Sequence, residues 1–309
     1  MTHDHTAHTH AGHSHGHSHA PADFGRAFII GILLNTLFVL FEVVYGTLAK
    51  SLALVADAGH NASDVLGLLL AWVAYLAARR RPTRRHTYGF RRSSILASLT
   101  NAVLLLIALG VIIWEAIHRF AEPAPVAGGT VIWVATLGIA INGVTAYLFA
   151  SGRKGDLNLR GAYQHMFADA LVSAGVVVAG IVILFTGWNW LDPVVSLALA
   201  AVILYGTWGL LRESLDLALD AVPEGVDLNE VQAFLTAQPG VTGVHDLHVW
   251  GMSTTETALT VHLVVPDGLP DEGLQHLRHE LHERFGVEHA TVQTEQGRVP
   301  CDLLPDEVV

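Results

Sequence analysis

Residues 51–78 read SLALVADAGHNASDVLGLLLAWVAYLAA, an apolar run long enough to cross a bilayer, with Asp57, His60 and Asp64 set in its first half. A helix needs about 20 apolar residues to span the hydrocarbon, and a charged group at its centre costs about 2.5–3.5 kcal/mol on insertion scales. The three polar groups therefore need a partner or a watery cavity. His60 and Asp64 stand four residues apart, which places both on one helix face, and Asp57 lies near that face three residues earlier.

The rest of the chain agrees with a membrane reading. Of its 309 residues, 51% are hydrophobic and 15% charged, against about 25% charged in ordinary soluble domains. Six apolar segments are predicted to be spanning helices: Ala27–Leu48, Leu52–Ala78, Ile95–Ile117, Val131–Ala150, Ala162–Thr186 and Leu191–Leu211. The bilayer gives the backbone no water to bond, so helices rather than open sheet are expected. The second loop carries Arg79, Arg80, Arg81, Arg84, Arg85, Arg91 and Arg92, and the fourth Arg153, Lys154 and Arg160; the other three loops hold only Lys50 and Arg119. By the positive-inside rule both termini are cytoplasmic. The net charge of −11 comes largely from acids after Glu213. The opening MTHDHTAHTH is not a cleaved signal peptide, and the single cysteine, Cys301, excludes an internal disulfide.

Three regions follow. Residues 1–22 form a low-complexity tail with eight histidines, read as flexible and metal-collecting. Residues 23–213 form the six-helix domain. Residues 214–309 change composition and predict a helix from Asp227, strands Val244–Trp250 and Thr257–Val265, a helix Asp271–Phe285 and a strand His289–Glu295. That αββαβ order packs as helices on one face of a small antiparallel or mixed sheet, and its modest size makes pairing with a second copy reasonable.

The fifth span repeats the polar pattern: GAYQHMFADALVSAG places His165 and Asp169 at the His60–Asp64 spacing. Brought together, the two pairs offer two imidazoles and two carboxylates, a set that suits tetrahedral Zn²⁺, with Co²⁺ and Cd²⁺ as alternatives. The competing reading is a hydrogen-bonded structural cluster. Asn35, Glu42 and Asn142, like Asp57, either line an access path and orient the ligands or make interhelical hydrogen bonds. An intramembrane zinc hydrolase would need an open metal position, and no His-Glu-x-x-His motif is present. A zinc sensor or storage protein would not need polar pairs in two spans. No nucleic-acid partner is expected.

Together, NTLFVLFEVVYGTLAKSLALVADAGHNASD, HTYGFRR, HMFAD and GVHDLHVWGM resemble the cation diffusion facilitator family, in its bacterial zinc-type branch. The resemblance runs from about residue 26 to 296. It implies a homodimer in the bacterial cytoplasmic membrane with a cytoplasmic ferredoxin-like domain. It further implies export of Zn²⁺ against protons by alternating access, on the ligands His60, Asp64, His165 and Asp169. For the terminal domain it implies zinc ligands at His245, His262 and Glu295; His289 is expected to join them, and His248, His276, His279, His282 and Cys301 are alternatives read from the sequence itself. The chain departs from some members in its arginine-rich second loop, where His86 has no carboxylate neighbour, and in its short fourth loop, SGRKGDLN.

Overall fold

The computed structural model describes residues 24–122, 124–150, 157–299 and 301, so the histidine tail lies outside the described residues. Six long helices come first: α1 Phe24–Leu48, α2 Leu52–Ala78, α3 Ser93–Ala121, α4 Gly128–Ala150, α5 Leu157–Thr186 and α6 Leu191–Ala218. By length and hydropathy α2 to α6 can each cross a membrane, and the apolar stretch Ile32–Leu48 of α1 is shorter. Large apolar side chains such as Leu37, Trp72, Trp133, Phe185 and Tyr205 point outward, which lipid tolerates and water would not.

Glycines let the helices approach closely. A Cβ on Gly128 would lie 2.9 Å from the Gly180 carbonyl, which holds α4 against α5. On Gly138 it would lie 2.8 Å from Phe38 and 3.2 Å from Ser173 Oγ, so α1, α4 and α5 meet there. Around that contact Phe38, Leu54, Val131, Val134, Ala135 and Val176 form the bundle core. It sits toward the end of the bundle opposite the arginine loop.

α6 runs on to Ala218, past the predicted Leu211. The apolar run ends there, but Arg212–Ala218 is composed mainly of good helix formers. Ser214 Oγ bonds Ser98 Oγ at 2.8 Å, and Leu217 is buried against Gly251 of the terminal domain. α5 likewise begins at Leu157 rather than Ala162.

The terminal domain has α7 Leu228–Thr236, β1 Gly243–Gly251, β2 Thr257–Val264, α8 Asp271–Phe285 and β3 Val287–Glu295. Asp227 caps α7 as predicted, accepting from the Asn229 and Glu230 amides, and Gly286 ends α8 in the left-handed conformation. β2 is central, antiparallel to β1 and parallel to β3. Leu259, Val261 and Leu263 alternate onto the helix face and pack against Val231, Leu235, Leu277 and Leu281. His245 and His262 are cross-strand partners on the other face. Arg91 pairs with Glu256 and Arg92 with Asp220, and the Thr254 amide donates to Ser94 Oγ, tying the α2–α3 loop to this domain.

Candidate metal centre

α2 and α5 bring the two polar pairs together inside the bundle. His60 Nε2 lies 3.9 Å from Asp64 Oδ2 and 3.6 Å from Asp169 Oδ1; His165 Nε2 lies 3.0 Å from Asp64 Oδ2 and 3.6 Å from Asp169 Oδ2. Ligand bonds near 2.1 Å give a zinc tetrahedron edges of about 3.3–3.5 Å, close to these four spacings; the set whose ligand atoms all lie within 4.8 Å of one another is His60, His165 and Asp169, and Asp64 stands outside it, joined through His165. The rings meet edge to face with centroids 5.8 Å apart. Among the described residues His60 Nδ1 and Asp169 Oδ2 are buried without hydrogen-bond partners, and Asp169 Oδ2 is the oxygen that faces His165 Nε2.

Exposure falls in one direction across the site. The side chains of His165 and Asp64, nearer the arginine end, are 41% and 35% exposed; those of His60 and Asp169 are 24% and 3% exposed. Beyond them lies the Phe38 and Leu54 core. The cluster is thus more enclosed on the side of His60 and Asp169 than on the side of His165 and Asp64.

The other polar residues within the bundle split into groups. Ser173 Oγ donates to Asp57 Oδ2 at 3.2 Å, and Asn61 Nδ2 to Glu42 Oε2 at 3.3 Å. Asp57 and Glu42 therefore belong with Asn61 and Ser173, neither of which the sequence singled out. Asn35 donates to Met166 Sδ at 3.6 Å, and Asn142 is fully buried with both amide atoms unpartnered.

A further buried acid was missed. Asp192, 1% exposed, accepts from Ser51 Oγ at 2.5 Å, from the Leu52 amide at 2.7 Å and from the Ala53 amide at 3.4 Å, with Arg119 Nη1 3.8 Å away. It caps the N-terminus of α2 from the first turn of α6, where its charge also suits the helix dipole. Its charge at the head of an apolar span was the available signal.

In the terminal domain His245, His262, Glu295 and Cys301 each offer a ligand atom within 4.8 Å of the others. His262 Nδ1 is 2.8 Å from Glu295 Oε1 and 3.7 Å from Cys301 Sγ, and His245 Nε2 is 3.5 Å from Glu295 Oε2. The latter contact lacks hydrogen-bonding geometry and leaves His245 Nε2 buried and unsatisfied. Burial pushes the Glu295 carboxyl up, but hydrogen bonds from Cys301 and Gln293, the charge of His245 and the His262 bond outweigh it and hold it below its ordinary value.

His289 is not with them, contrary to the expectation from sequence. β3 begins at Val287, and its parallel register sets His289 opposite Ala258, four residues from His262 along β2. Its ring instead meets Tyr88 edge to face at 5.7 Å. His248 bonds Asp246, His282 sits beside Glu288, and neither joins the group.

Residues 28–217 match the sequence profile of the cation efflux transmembrane domain, and residues 223–297 that of the cation efflux protein cytoplasmic domain. The metal cation efflux system protein CzcD of Cupriavidus metallidurans is 38% identical over 294 residues, 94% of this chain and 92% of that protein. Zinc transporter ZitB of Escherichia coli is 38% identical over 293 residues, 94% and 93% of the two chains. The cadmium, cobalt and zinc/H(+)-K(+) antiporter of Bacillus subtilis is 34% identical over 286 residues, 91% and 92%. These are transporters, not enzymes, and the match covers both parts of the chain. An imidazole–carboxylate cluster within a six-helix bundle is thus found in a chain that belongs to the cation efflux, or cation diffusion facilitator, family of divalent metal transporters.

Proposed function

We propose that this protein exports Zn²⁺ from the cytoplasm in exchange for protons, with His60, Asp64, His165 and Asp169 as the ligands of the transported ion. The observation that carries this reading is the set of imidazole-to-carboxylate distances, 3.0–3.9 Å, at one level of the bundle. Zinc requires these ligands deprotonated, so loading releases protons and protonation expels the ion. Alternation between a site open to the cytoplasm and one open to the far side then yields antiport. With both termini cytoplasmic, the ion loads from the less enclosed side, that of His165 and Asp64.

The same donor set accepts Co²⁺ and Cd²⁺, and the name of the Bacillus relative includes both metals. Flux into reconstituted vesicles under a pH gradient tests the reading. Zinc should move against protons, and Co²⁺ and Cd²⁺ should compete with it. Absence of zinc flux under a gradient would exclude the transporter assignment, and flux without proton counter-movement would exclude the antiport.

The terminal domain is proposed to hold a regulatory zinc on His245, His262, Glu295 and Cys301 and to pair two copies of the chain, with residues 1–22 collecting metal. On the full chain bearing Asp169→Ala, which isolates this second site, His262→Ala is expected to weaken zinc binding by at least about tenfold, or about 1.4 kcal/mol. His289→Ala should leave it unchanged by titration calorimetry. The reverse outcome would move the site to the other end of β3.

A further inference from the structure

Glu42 on α1 bonds Asn61 on α2, which lies one helical turn from Asp57 on the same face, and the two acids are 0% and 1% exposed. Among the described residues neither forms an ion pair with a Lys, Arg or His. Their neutral partners are Asn61, donating to Glu42 Oε2, and Ser173, donating to Asp57 Oδ2; among the described residues Glu42 Oε1 is buried without a neutral donor. The charged groups that act on Asp57 from the packed helices are His60 and Asp169, besides Glu42. α4 contributes no charged residue. Two carboxylates so enclosed cannot both stay ionised without a counter-charge, because each would carry the cost of a buried ion together with the repulsion of the other. A single proton held between them removes both penalties.

Asp57 lies three residues before His60, a rise of about 4.5 Å along α2, on the more enclosed side of the metal cluster. Next beyond it comes the core around Phe38 and Leu54. When the bundle opens toward the far end, this pair is the acidic group that incoming water meets just before the cluster.

We infer that Glu42 and Asp57 form a proton-binding site, distinct from the metal ligands, that carries a counter-ion proton of the exchange. The inference rests on the antiport reading above. A divalent ion one turn away stabilises the doubly ionised pair, so zinc loading from the arginine end drives its proton out on that side. Zinc departure at the far end restores the need for a proton, which is taken up there. The pair thus alternates between one proton and none, out of phase with the metal. The metal ligands need not themselves supply this proton.

Glu42→Gln and Asp57→Asn separate the pair from the cluster, since each mimics the protonated form in shape. In reconstituted vesicles, zinc-for-zinc exchange at equal pH should remain within about threefold of the unsubstituted protein. Acceleration of zinc flux by a pH gradient should fall at least tenfold, and each zinc bound should release one proton fewer in calorimetry across buffers of different ionisation enthalpy. Retention of gradient acceleration in both variants overturns the inference. So does loss of exchange together with gradient-driven flux, or failure of both variants to fold, either of which assigns the pair a structural role. Loss of a K⁺ dependence with proton coupling intact would make it a site for that cation instead. If the unsubstituted protein shows no proton coupling, the antiport reading itself fails and takes this inference with it.

Discussion

Asp169→Ala is expected to lower zinc affinity at the membrane site by at least about 100-fold, or about 2.8 kcal/mol, and to abolish export. Asp169 is the most enclosed of the four proposed ligands, at 3% exposure, and it spans the two histidines at 3.6 Å from each. Removing it takes away one ligand and half of the negative charge that balances a divalent ion. What remains is an ion with net positive charge, least compensated on the enclosed side where Asp169 stood. Asp169→Asn keeps an oxygen donor and loses the charge, so a defect close to that of alanine would make charge balance the dominant factor. Zinc binding to the detergent-solubilised protein, alongside growth protection in zinc-sensitive cells, measures both. Ordinary affinity in the alanine variant would remove Asp169 from the site.

Asp192→Ala is expected to have the largest effect on stability. It would strip the Ser51 hydroxyl and the Leu52 and Ala53 amides of their acceptor and leave Arg119, itself 16% exposed, without its buried carboxylate. Unsatisfied buried donors cost about 1–3 kcal/mol each and a broken buried ion pair about 3–5 kcal/mol. Because these contributions share one network and do not add, a loss of about 3–5 kcal/mol is expected. Arg119 also donates to the Lys50 carbonyl, which limits the damage. Thermal unfolding in detergent should show a clearly lowered midpoint for alanine and an intermediate one for Asp192→Asn. An unchanged midpoint would mean that the α2 cap is held by Ser51 alone.

Much of this architecture was legible from the sequence because the bilayer allows few solutions. Apolar length marked the six helices, and the i, i+4 spacing put His60 with Asp64 and His165 with Asp169 on helix faces that the fold then joins. The unreadable parts depend on partners far apart in the chain. Asp192 meets α2 across about 140 positions, and Ser173 meets Asp57 across 116, so no local pattern announces either contact. His289 was misplaced for a different reason: strand alternation fixes which face a residue takes but not which neighbour it meets, and the parallel register of β3 sets it apart from His262. α6 was cut short because hydropathy reports where lipid ends, not where a helix does.

That overrun has a mechanical consequence. At 28 residues α6 is about 42 Å of uninterrupted rod, longer than the roughly 30 Å hydrocarbon layer, and Leu217 near its tip bears directly on Gly251. The terminal domain rests on the tip of this rod through Leu217, the chain continues into it through the non-helical residues 219–227, and the Arg91 and Arg92 contacts act as a second strut. Tilting of α6 within the bundle would swing the whole domain by a magnified arc, so a pair of spectroscopic labels on two copies of the domain would read out bundle motion from outside the membrane.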